Sequence, residues 1–128
     1  MNEVVFDASA MLALLQRERG EERLTDEIVS RAVVGSVNLA EVQSKLVKKG
    51  YDQADAWVDA LSAVGSVAIF TADQARTAGD LTAITEPYGL SLGDRCCLAL
   101  AIALNAPVYT TEQAWKNLAR ISHTGRFL

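Results

Sequence analysis

The sequence predicts an α/β protein: a parallel sheet of four to five strands flanked by helices on both faces. Three observations carry that expectation. Short β-branched runs alternate with longer helical patterns along the chain. The 128 residues suit one domain, 1–128, long enough for a real core and too short for two. Half of them are hydrophobic, with two prolines and no low-complexity tract, which argues against a disordered chain.

The elements follow in order. Val4-Val5-Phe6 reads as strand one and 8–16 as a helix. An amphipathic segment over 21–30 places Leu24 and Ile28 on one face, and 32–37 reads as strand two. The next helix is expected over 39–49, with Lys48 and Lys49 in its last turn, where the helix dipole favours positive charge, and a stop at Gly50. Asp52 can cap a further helix that turns Trp57 and Leu61 inward and ends near Gly65. Residues 66–70 read as strand three, 72–84 as a helix, and Glu86-Pro87-Tyr88-Gly89 as a turn. The most apolar helix is expected over 92–104, in a central position, then strand four over 107–110 and a helix over 113–118. The tail can add a short edge strand, and 39–64 can form an arm standing partly off the sheet.

Composition narrows the chemistry. Cys96 and Cys97 are neighbours in an apolar helix, where disulfide geometry is hard to meet; buried free thiols in a reducing cytoplasm are the expectation. One histidine, His123, and no CxxC motif exclude a His/Cys zinc site and disfavour a Ser-His-Asp triad. No apolar run reaches the ~20 residues that span a bilayer. Met1-Asn2-Glu3 lacks a basic stretch, so a strand rather than a signal peptide is expected there. With 12 basic and 16 acidic side chains the net charge is −4, which argues against a general polyanion-binding surface. Any chemistry must then rest on carboxylates.

In open α/β sheets ligands bind beyond the carboxyl ends of the strands. Asp7 directly follows strand one, Glu41 follows strand two, Asp94 opens the central helix and Glu112 follows strand four; Asp73 holds a similar local position after strand three. Each has an ordinary helix-capping alternative. Asn38-Leu39-Ala40-Glu41 and Ser91-Leu92-Gly93-Asp94 both resemble capping boxes, and Glu112 suits a helix start. Taken together, Asp7, Glu41 and Asp94 each sit among apolar residues, and a cluster of carboxylates persists best around a cation. Oxygen ligands without His or Cys point to Mg²⁺ or Mn²⁺, metals that activate water and clamp phosphodiester oxygens.

Four segments carry a resemblance: 4–10 (Val-Val-Phe-Asp-Ala-Ser-Ala), 36–42 (Ser-Val-Asn-Leu-Ala-Glu-Val), 90–95 (Leu-Ser-Leu-Gly-Asp-Arg) and 108–115 (Val-Tyr-Thr-Thr-Glu-Gln-Ala-Trp). In that order, over nearly the whole chain, they are similar to the signature segments of PIN domains, most closely the VapC toxins of toxin–antitoxin pairs. The resemblance implies a PIN-like α/β/α sandwich and a Mg²⁺- or Mn²⁺-dependent endoribonuclease. It makes Asp7, Glu41 and Asp94 the core metal ligands. The fourth acid of the family pattern is usually Asp, so Glu112, one methylene longer, is either a ligand or acts through water. The family's strand order puts strand three at the sheet edge, which leaves Asp73 without a role. A homodimer and a VapB-type antitoxin are implied too, the antitoxin's tail lying near the 39–64 arm and offering a basic side chain to the acids.

Ser9 and Thr110 can position a metal-bound water, although hydroxyls at helix starts are commonly caps. Lys45, one turn beyond Glu41, is the better candidate for RNA contact among Lys45, Lys48, Lys49, Arg95 and Lys116. Trp57 and Trp115 read as core or interface residues. A receiver-like phosphoacceptor module fits poorly, because it wants paired acids at the first strand and a lysine after the last. A catalytically silent PIN-like module that binds RNA or protein stays open.

Overall fold

The computed structural model describes residues 2–17 and 21–112. The helix expected over 113–118, the tail strand, Trp115, Lys116 and His123 lie outside the described residues.

Strands β1 (Val4–Phe6), β2 (Ala32–Gly35), β3 (Ser66–Ala68) and β4 (Val108–Tyr109) pair in parallel in the order β3-β2-β1-β4. Val5 stands opposite Val33 on one side and Val108 on the other. Side chains alternate across the pleat, so β1, β2 and β4 each feed two cores. Val4, Phe6, Val34 and Tyr109 face a core filled by α1 (Ala8–Gln16), α2 (Asp26–Arg31), α3 (Ser36–Lys48) and α4 (Gln53–Ser62). Val5, Val33 and Val108 face Cys97, Leu98, Leu100 and Ala101 of α7 (Leu92–Leu104). Helix α5 (Ala72–Asp80) packs through Ala78 on Cys96 and Ala99 at the back of α7. This is the expected α/β/α sandwich. Phe6 and Tyr109 tilt ring against ring on adjacent strands, centroids 5.7 Å apart.

Several elements differ from expectation for physical reasons. Strand two ends at Gly35, and α3 starts at Ser36, three residues early, with Gly35 as a cap residue that offers no side chain. Ser36 anchors the start by accepting a hydrogen bond from the Phe70 N–H at 3.0 Å. Asn38 is therefore inside the helix, and the capping box expected from Asn38 to Glu41 does not form. Asp52 caps α4 as expected, accepting from the N–H groups of Ala54 and Asp55. The inward stripe of α4, however, is Ala56 and Ala60, continued by Ala63. Trp57, one residue and about 100° further round, is 42% exposed, and Leu61 is 38% exposed. The helix expected over 72–84 breaks at Leu81 into α5 and the short α6 (Thr82–Thr85), where Thr82 Oγ1 donates to the Gly79 carbonyl. Glu86–Tyr88 form a 3₁₀ turn closed by Gly89 at φ 73°, a left-handed conformation that glycine adopts without strain.

Cys96 and Cys97 are buried free thiols. Among the described residues no helix is long and apolar enough to cross a membrane.

Candidate functional site

The connections run from β1 outward to β2 and β3, then return past β1 to β4. Chain progression therefore reverses between β1 and β4, and the crevice beyond their carboxyl ends is where this architecture binds ligands. Asp7 stands in that crevice. It caps α1 and is only 2% exposed. Its Oδ1 accepts from the Ala10 N–H at 2.9 Å and from the Ser9 hydroxyl at 2.7 Å. Its Oδ2 accepts from the Thr110 hydroxyl at 2.6 Å, reaching across to the end of β4. The same hydroxyls accept in turn: Ser9 Oγ from the Thr111 N–H and Thr110 Oγ1 from the Glu112 N–H. Ser9 and Thr110 thus hold the carboxylate and tie the exit of β4 to the start of α1.

Burial pushes the Asp7 carboxyl up, from an ordinary 3.8 to about 6. The hydrogen bonds from Thr110, Ala10 and Ser9 oppose that rise, and the Glu112 carboxylate adds a little to it. Asp7 and Glu112 are therefore electrostatic neighbours, with Glu112 exposed at the rim.

Glu41 and Asp94 come from helices in opposite layers of the sandwich, and the contact between those helices runs through Glu41 and Gly93, the residue before Asp94. Glu41 Oε1 accepts from the Asn38 amide at 2.8 Å, and the same amide donates to the Gly93 carbonyl at 3.1 Å. The Glu41 carboxylate lies so close over Gly93 that a Cβ there would stand 2.5 Å from both of its oxygens. Asp94 forms the expected capping box: its Oδ2 accepts from the Ser91 N–H at 2.9 Å, while Ser91 Oγ accepts from the Asp94 N–H at 3.2 Å. Cys97, one turn further along α7, reports on all three acids. Burial raises its thiol well above the usual range, and the charges of Asp7, Asp94 and Glu41 each raise it further. The three carboxylates thus lie within electrostatic reach of one buried thiol.

Sequence reasoning missed Asn38 as a side-chain donor within this group, since its local pattern read as a helix cap. It also missed Gly93, whose missing side chain makes room for Glu41. Arg95 donates through Nη1 to the Ala78 carbonyl at 3.1 Å and to Thr82 Oγ1 at 2.5 Å, satisfying the carbonyl end of α5. That structural duty makes it a weaker candidate for RNA contact. Lys45 is exposed and lines a groove of about 340 Å³ between α1 and α3, with Leu12, Gln16, Lys48 and Lys49. Asp73 is exposed in the first turn of α5, beside the edge strand β3.

As they stand, no three acid, His or Cys side chains among the described residues close into a metal-binding group. Internal donors hold them instead: both oxygens of Asp7, Oε1 of Glu41 and Oδ2 of Asp94. The donor set still suits a hard divalent cation, being carboxylate oxygen throughout. The ion pairs between described residues, Arg31–Glu27 and Arg76–Asp80, lie elsewhere, so neither neutralises these acids. Burial is what pushes the Asp7 carboxyl up, and among the described residues no ion pair offsets it.

A family model described as PIN domain matches residues 4–121. No curated protein matches the sequence. Solved structures do. A toxin–antitoxin complex from Klebsiella pneumoniae is similar at a TM-score of 0.71 and 21% identity, covering 98% of this chain and 96% of that one. VapBC2 from Rickettsia felis, bound to a DNA fragment from their promoter, is similar at 0.72 and 19% identity, covering 98% and 96%. DNA-bound VapBC from Salmonella typhimurium is similar at 0.74 and 14% identity, covering 100% and 98%. At such identities the likeness is one of fold.

Proposed function

This chain belongs to the PIN domain family, and from that premise we propose that it is a VapC-type endoribonuclease dependent on Mg²⁺ or Mn²⁺. One observation carries the reading: the Asn38 amide and the close approach over Gly93 bring Glu41 of α3 up to the residue before Asp94 of α7, while Asp7 caps α1 at the end of β1. Asp7, Glu41 and Asp94 would hold the cation, with Glu112 at the rim as a further ligand or acting through water. The cation, when bound, supplies an activated water and a counter-charge for the phosphodiester oxygens.

The chain's own residues do the rest. Ser9 and Thr110 fix Asp7 so that its carboxylate does not swing when charge arrives; both hydroxyls also stand where a water could be oriented. Asp94 is steadied by its cap, and Lys45 can take an RNA phosphate leaving the crevice along the α1–α3 groove. RNA, rather than DNA, follows from the VapC resemblance, as do a homodimer and inhibition by a VapB-type antitoxin. Buried free thiols agree with a cytoplasmic setting.

The test is to incubate purified, antitoxin-free protein with total bacterial RNA and Mg²⁺, beside Asp7→Asn and Asp94→Asn variants, and to sequence the new ends. Cleavage by the wild type alone is expected. Equal cleavage by the variants, or none by the wild type, would sink the nuclease reading. A silent binding module is the second reading, favoured by the acids' not closing into a metal-binding group among the described residues. Retained RNA binding without new ends would support it.

A further inference from the structure

We infer that Asn38 is a positioning residue for Glu41, holding its carboxylate over Gly93 so that Glu41 and Asp94 face a cation together; this rests on the metal-dependent reading above. Asn38 is 2% exposed and among the most deeply buried side chains. A buried amide is destabilising unless its hydrogens are bonded. Here one amide nitrogen serves two acceptors on different helices: Glu41 Oε1 at 2.8 Å and the Gly93 carbonyl at 3.1 Å. The reverse amide orientation would set oxygen against a carboxylate and a carbonyl, so the partners themselves determine the orientation.

A tether between α3 and α7 needs only the bond to Gly93. The second bond, to a carboxylate, is charge-assisted and fixes where negative charge sits. Its donor is neutral. A lysine or arginine at 38 would satisfy Glu41 and also cancel the charge that a cation requires, whereas an amide orients it and leaves it intact. Gly93 completes the clamp from the other side, because any Cβ there would collide with both Glu41 oxygens. The carboxylate is thereby confined next to Asp94, the residue after Gly93.

The test uses the full-length, metal-free protein titrated calorimetrically with Mn²⁺, as wild type, Asn38→Ala and Gly93→Ala, with thermal midpoints for each. Loss of a group that orients a metal ligand typically weakens binding about 10–100-fold. We expect Asn38→Ala to bind Mn²⁺ at least tenfold more weakly and to recover RNA cleavage at saturating Mn²⁺, which a folding defect would not do. Gly93→Ala displaces Glu41 from Asn38 while keeping the Asn38 side chain and its Gly93 carbonyl acceptor, and it improves helix propensity. It should therefore weaken Mn²⁺ binding with no fall in midpoint, and it decides the matter if Asn38→Ala does not fold. In the metal-free state Glu41→Gln should shift the Asn38 side-chain amide resonances. Wild-type affinity in folded variants would overturn the clamp alone; a wild type that binds no Mn²⁺ would overturn the metal reading and the clamp with it.

Discussion

Asp7 and Asp94 are held in opposite ways. Asp7 is buried and uses both oxygens, one of them on a hydroxyl from the far end of the chain. Asp94 is half-buried and is steadied within four residues of its own helix. One acid is fixed by the tertiary fold, the other by local helix chemistry. The first therefore stores electrostatic strain in the metal-free protein, and the second does not depend on the rest of the fold for its orientation.

The largest effects should come from breaking the buried side. Asp7→Asn is expected to lower cleavage at least about a thousandfold, as loss of a metal-ligating carboxylate does on the scale of single catalytic groups. The same change should stabilise the metal-free protein at neutral pH. The folded carboxyl titrates near 6, above its ordinary 3.8, so the folded chain favours the protonated form. Its stability contribution is present below about pH 4 and is lost as pH rises through about 6. A shift of this size corresponds to about 3 kcal/mol, so thermal melts at pH 7.5 without metal should place Asp7→Asn above the wild type. A lower midpoint at that pH would contradict the strain. Added Mg²⁺ should raise the wild-type midpoint more at pH 7.5 than at pH 5.

Thr110→Val should come next. It removes the strongest opponent of the raised pKa and leaves Oδ2 without that donor. We expect a loss of about 1–3 kcal/mol in stability and a further rise in the Asp7 titration, read from its carboxyl carbon shift. On the local side, Ser91→Ala should cost about 1 kcal/mol, the usual value of a helix cap, and leave the Asp7 titration in place. Glu112→Gln is the mildest: its charge is the smallest contributor to the Asp7 shift, so that titration should move slightly downward. A cleavage loss below tenfold would assign Glu112 to a role through water, and a larger one to direct ligation.

The same division governs what could be read from the sequence. β1, α1, the Asp52 cap and the Ser91–Asp94 box were legible because their signals lie within one helical turn. Asn38 carried the same local signal and was misread, because its deciding partner, Gly93, lies 55 residues away. Trp57 and Leu61 were expected inward by bulk, whereas α4 buries its alanines, which allow close approach to α3. Ser9 and Thr110 were expected near the acids; Ser9 bonds Asp7 from two residues away, whereas the Thr110 bond to the same carboxylate crosses 103 residues, which no local pattern displays. The resemblance in four segments located the acids. It could not say which of them would be buried and which would cap a helix.

The hydrogen bond from Thr110 to Asp7 spans 103 residues, and β4 pairs with β1 over a comparable separation. Contacts of such sequence distance form only after most of the chain is available, and they are made late when a domain is synthesised from its N-terminus. A growing polypeptide that has already folded β1, β2 and β3 would still lack the donor to Asp7 Oδ2. The crevice thus waits on β4, which separates the synthesis of Asp7 from the moment at which it is fully held.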